Sequence, residues 1–98
     1  MSRIDSFDWT PRADVAFQRL PESVQTRIES ALSKIKQIGP RSPYVAKIRG
    51  QHNMYIVRAG KDMRVIFQLE DNIAMIADIV QADKLHTLAH LYAPTREL

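Results

Sequence analysis

The chain has 98 residues, 45% of them hydrophobic and 26% charged, which suits one folded core and leaves no room for a second. It contains no cysteine, so disulfide frameworks, thiolate nucleophiles and cysteine-ligated zinc are excluded, and with no apolar run near membrane-span length and no signal pattern the expected location is the cytoplasm. The formal net charge of +3 is unevenly placed: residues 41–64 hold Arg41, Lys47, Arg49, Arg58, Lys61 and Arg64 against Asp62 alone, and the remainder is slightly acidic.

In chain order, Phe7 and Trp9 flank Asp8 as in a short strand with one buried face over Ile4 to Trp9. Thr10-Pro11 starts a helix, with threonine as N-cap, proline where the N–H is unpaired anyway, and Asp14 in the first turn. Pro21 ends that helix and opens another, in which Val24, Ile28, Ala31, Leu32, Ile35 and Ile38 recur every three or four residues until Gly39-Pro40. Beyond Pro43 the period becomes two. Strands are predicted from Tyr44 to Arg49, from Met54 to Ala59 and from Met63 to Leu69, joined by turns at Gly50 to Asn53 and Gly60 to Asp62. After Glu70-Asp71-Asn72, the stretch Ile73 to Val80 is apolar except for Asp78 and reads as a strand covered on both faces. Asp83 is placed to cap a last helix with Leu85, Leu88, Ala89 and Tyr92 on its buried side, limited by Pro94.

The resulting plan is α+β: two N-terminal helices packed on a mainly antiparallel, twisted four- to five-stranded sheet, with a short C-terminal helix. Tyr55, Val57, Val65 and Phe67 are expected under the helices, with Trp9 and Tyr55 as core aromatics. The opposite face is then expected to gather Lys47, Arg49, Arg58 and Arg64, which is either a solvated strand surface or a site for a polyanion.

These segments resemble a known family. Phe7-x-Trp9-Thr10-Pro11-Arg12-Ala13, Leu20-Pro21 and Gln25-x-Arg27-Ile28 are similar to the N-terminal helices of the RelE/ParE toxins of bacterial type II toxin–antitoxin systems. Lys47-Ile48-Arg49-Gly50, Met54 to Gly60 and Asp62-Met63-Arg64-Val65-Ile66-Phe67 resemble the core motif of that family. The resemblance implies a single toxin domain over residues 1–98, a RelE-like fold and a cognate antitoxin as partner. In its ribonuclease branch it also implies cleavage of mRNA on the ribosome, and hence translation repression. It places Arg64 where family ribonucleases hold the scissile phosphate, and Arg58 at a strand position that is basic in those enzymes. The chain departs from the pattern at Ile56, where many members are basic, and over Ile79 to Asp83, which lack the arginine often found after the last strand.

Metal-free RNA cleavage needs a base for the ribose 2′-OH, charge stabilisation at phosphorus and an acid for the leaving oxygen. Arginine stays protonated, so Arg58 and Arg64 are assigned to charge stabilisation. Lys47, Arg49 and Lys61 are assigned to RNA backbone contacts, and Lys47 is also a candidate acid or base. His86 is the titratable candidate, weighed against a plain exposed residue on the last helix. Asp83, His86 and His90 fall near one helix side but offer no fourth ligand, and no metal or cofactor is expected. Two readings stay open: an mRNA endonuclease, and a ParE-like non-enzymatic inhibitor of DNA gyrase.

Overall fold

The computed structural model describes residues 3–96 and Leu98, without the side chains of Ala89 and His90. Strands β1 (Ser6–Trp9), β2 (Val45–Lys47), β3 (Met54–Ala59), β4 (Met63–Glu70) and β5 (Ile73–Gln81) form one sheet in the order β1-β5-β4-β3-β2. Strands β2 to β5 pair antiparallel in sequence order, and β1 lies parallel to β5 at the other edge. Helices α1 (Pro11–Gln18) and α2 (Glu22–Ile38) connect β1 to β2, and a 3-10 helix over Ala82–Leu88 followed by the one-turn α3 (Ala89–Tyr92) closes the chain. The α+β plan and element order are those expected from the sequence.

The expected local signals operate. Thr10 caps α1 by accepting from the Ala13 N–H at 3.1 Å, and its hydroxyl donates to the Ala77 carbonyl at 3.2 Å, fixing α1 to β5. Ile28, Leu32 and Ile35 are the buried stripe of α2, which ends at Gly39 with φ of 93°, a left-handed conformation open to glycine. The last helix differs from the expectation. Its first seven residues are 3-10 rather than α and none of them is buried; Leu85 packs, partly buried, against the second cluster described below.

One sheet face carries the main core. Val45, Val57, Val65, Phe67, Leu69, Ala74, Ile76 and Ile79 pack beneath Ala13, Ile28, Leu32 and Ile35. Trp9 meets Phe17 edge-on with ring centroids 5.1 Å apart, and Tyr55 stacks on Phe67 at 5.3 Å. These aromatics pack against the core as expected.

The opposite face departs from the expectation of a cationic surface. Ile48, Ile56 and Ile66 form a second buried cluster there, covered by Met54, Ala77, Leu85, Tyr92 and Leu98. The tail extends this cover along the edge of β2: Ile48 bridges Pro94, the Arg49 N–H donates to Ala93 at 2.8 Å, and the Thr95 N–H donates to Lys47 at 2.9 Å. The cover stops short of Ile73 and Met75, which remain 39% and 38% exposed, so β5 is not enclosed on both faces along its length. Between Ile66/Phe67 and β5 the register slips, pairing Ile66 with Asp78 and Phe67 with Ile76. Ala77 is the extra residue of a bulge, which lets both Ile76 and Ile79 face the main core while Asp78 faces the second cluster.

Candidate anion-binding site

The site is built on the β3–β4 hairpin. Ala59 and Met63 are the last pair of its ladder, and Gly60 turns the chain with φ of 76°. Arg58 and Arg64 are direct cross-strand partners and therefore share a face. Two guanidinium groups at such spacing repel, and both turn to the same acceptor. The Arg58 Nε donates to the Gly60 carbonyl at 3.3 Å and the Arg64 Nη1 donates to it at 3.1 Å. Arg64 Nη1 also donates to the Met63 carbonyl at 2.8 Å and, more weakly, to that of Lys61 at 3.4 Å.

Arg64 is only 8% exposed, whereas Arg58 is exposed. Arg64, expected on a cationic face open to a polyanion, is instead a buried cation holding a turn. Burial pushes its pKa down, the Arg58 charge adds to that, and Asp62 partly opposes it. Arginine remains charged at neutral pH despite such a shift. Among the described residues the ion pairs are Arg3–Asp5 and Arg12–Asp78, so neither Arg58 nor Arg64 has a carboxylate within 4 Å there.

A third guanidinium comes from α2. A Cβ placed on Gly60 would lie 3.3 Å from Cδ and 3.5 Å from Nη1 of Arg27, so the arginine side chain rests against the glycine. Sequence reasoning did not single out Arg27 as a site residue, because the contact joins α2 to a turn more than 30 residues away.

The other predicted residues divide between the two ends of β3. Lys61 lies exposed in the Gly60 turn. Lys47 pairs with Tyr55 and so lies on the face that carries the main core, not beside Arg58 and Arg64. Arg49 lies in the turn that precedes β3, at the end opposite Gly60. The six residues of β3 separate the two ends by roughly 17–20 Å. The expected gathering of four cations is therefore two. His86 is exposed on the 3-10 helix. The cleft of about 220 Å³ beside Arg64 is lined by Ala82, Leu85, Pro94 and Leu98, so Leu85 reaches it rather than His86. The His90 side chain lies outside the described residues.

A second polar cluster was legible only as an interruption of the apolar β5 run. Asp78 is buried, accepts from the Ile79 N–H at 2.9 Å and from the Tyr92 hydroxyl at 3.4 Å, and meets Arg12 Nη2 at 3.4 Å. Burial raises the Tyr92 pKa, the Asp78 charge adds to the rise, and Arg12 opposes it.

The sequence matches no family model and no curated protein. Solved structures do match. A doubly substituted Escherichia coli RelE toxin in the free state superposes with a TM-score of 0.70 at 19% identity, covering 95% of each chain. The RelE–RelB complex of Pyrococcus horikoshii matches with a TM-score of 0.63 at 23% identity, over 83% of this chain and 96% of that one. A YoeB/ParE toxin from Agrobacterium tumefaciens matches with 0.67 at 11% identity, over 78% and 96%. The chain has the fold of the RelE/ParE toxins.

Proposed function

We propose that the chain is the toxin of a bacterial type II toxin–antitoxin pair, neutralised by a small antitoxin, and that it acts as a metal-independent endoribonuclease on mRNA at the ribosome. The toxin–antitoxin reading is supported by neighbours that include RelE with its antitoxin RelB. The nuclease reading is carried by one observation: two arginines converge on the Gly60 carbonyl without a carboxylate partner among the described residues. Arg64 is rigid because three carbonyls hold it, and Arg58 is exposed and free to meet substrate. A guanidinium pair with one fixed and one exposed member stabilises the charge that grows on phosphorus as the 2′-oxygen attacks. His86 is exposed on the 3-10 helix and does not line the cleft beside Arg64, so as the proton-transfer candidate it has to meet bound RNA from outside that cleft.

One observation favours the second reading, a ParE-like inhibitor of DNA gyrase. Besides Arg64, the side chains that line this cleft, those of Ala82, Leu85, Pro94 and Leu98, carry no group that titrates. The deciding experiment is induction of the chain in cells, alone and with any small open reading frame found beside its gene, while mRNA 5′ ends, protein synthesis and plasmid supercoiling are followed. New mRNA ends and translation arrest, relieved by the neighbour, are expected. Arrest of supercoiling with intact mRNA would move the chain to the gyrase reading, and harmless induction would remove both.

A further inference from the structure

Arg27, Ser30 and Lys34 lie at spacings of three and four on one side of α2, where that helix passes the Gly60 turn. Together with Tyr44, Arg58 and Gly60 they line a groove of about 410 Å³, within the size range of small-ligand sites. Its walls are cationic, and no carboxylate lies within 4 Å of Arg27, Lys34 or Arg58 among the described residues. Tyr44 is an aromatic residue left 45% exposed, with the Lys34 ammonium 5.9 Å from its ring centroid. The Arg58 N–H donates to the Tyr44 carbonyl at 2.8 Å, which joins this wall directly to the Arg58/Arg64 pair.

Cations alone would suit any anion, including an acidic peptide. An exposed aromatic ring placed among them adds a stacking face, the combination that single-stranded nucleic acids meet with a phosphate and an adjoining base. We propose that the groove between α2 and the Gly60 turn is a nucleotide subsite, in which Arg27, Ser30 and Lys34 hold a phosphate and Tyr44 carries the adjoining base. The subsite rests on the RNA reading for the identity of the polymer, and it extends the path of a bound strand from Arg58 and Arg64 around the Gly60 edge onto α2. Ser30 contributes a hydroxyl donor, Arg27 a planar guanidinium able to meet two phosphate oxygens, and Lys34 a mobile point charge.

The test is amide chemical-shift mapping on the isotopically labelled full chain, titrated separately with adenosine 5′-monophosphate, inorganic phosphate and a hexaglutamate peptide. The nucleotide is expected to move the amides of Ser30, Lys34 and Tyr44. Arg27→Gln and Lys34→Gln should each weaken it about tenfold, the loss of one charge-assisted contact. Tyr44→Ala should weaken the nucleotide while leaving inorganic phosphate unchanged. Unmoved amides would overturn the proposal, as would tighter binding of hexaglutamate than of the nucleotide, which would make the groove a seat for an acidic protein. Equal weakening of nucleotide and phosphate by Tyr44→Ala would overturn the base contact. Nucleotide binding in the groove by a chain that cuts no mRNA in cells overturns the nuclease reading alone, and mRNA cleavage without groove shifts overturns the subsite alone.

Discussion

Arg58 and Arg64 face each other across β3 and β4 and donate to a single carbonyl, that of Gly60, at 3.3 and 3.1 Å. The two arginines differ in burial, so the same substitution has different consequences at each. Arg64→Ala removes a buried charged donor from the carbonyls of Gly60, Lys61 and Met63 and should cost roughly 2 kcal/mol of stability, a fall of about 8–16 °C in Tm for a domain of this size. Arg58→Ala should stay within about 0.5 kcal/mol of wild type, because its side chain is exposed. If the proposed cleavage is right, Arg58→Ala should still lower the rate by about a hundredfold. Thermal melts by circular dichroism paired with mRNA cleavage separate the two effects. Equal Tm losses in both variants would contradict the division.

Gly60 combines a left-handed φ of 76° with the Arg27 side chain against it. Gly60→Ala should cost about 1–2 kcal/mol through backbone conformation, with a smaller addition from displacing Arg27. Adding Arg27→Ala should recover only that addition. Urea unfolding of the single and double variants measures this, and full recovery in the double variant would show that crowding, not φ, sets the cost.

Tyr92 has its pKa raised above its ordinary value of 10.0 by burial and by Asp78. The folded chain thus favours the neutral phenol, and the stability this brings is present below about pH 10 and lost as pH rises through the raised value. Tyr92→Phe lacks that loss, so the Tm gap between wild type and Tyr92→Phe should narrow above about pH 10. Melts from neutral to alkaline pH check this; a gap that widens there would reverse the sign.

Asp78 should matter more than its ion pair. Arg12 is 76% exposed on its side chain, so Arg12→Ala should cost less than about 1 kcal/mol. Asp78→Ala strips the partner from the buried Ile79 N–H and should cost roughly 2 kcal/mol. Chemical denaturation of both variants ranks them, and a larger loss for Arg12→Ala would show that the ion pair dominates.

Salt dependence tests the division of the lysines. If RNA lies along the Gly60 edge, Lys61→Ala should reduce the slope of log affinity against log salt by about 0.7 for a single strand. Lys47→Ala should leave it unchanged, since Lys47 shares a face with Tyr55 and not with Arg58. RNA titrations at several salt concentrations decide it; an equal drop for both would place the strand across β2 as well.

The elements were legible in the residues because their causes are local. The Thr10-Pro11 cap, the three-and-four spacing from Val24 to Ile38, the Gly39-Pro40 stop and the change to period two after Pro43 each depend on neighbours within one or two turns of chain. Arg58 and Arg64 were likewise legible as partners, because one tight turn joins their strands. Alternation failed where register intervened. It grouped Lys47 with those arginines, although the pairing Lys47↔Tyr55 puts it on the other face, and it could not foresee the Ala77 bulge, which changes which β5 residues face each core. The tertiary structure alone decided that the supposed open face is covered by the C-terminal segment, that Arg64 is buried, and that Arg27 of α2 rests on Gly60. Each is a contact between segments far apart in the chain, settled by which apolar faces can be buried together rather than by the preference of any single residue.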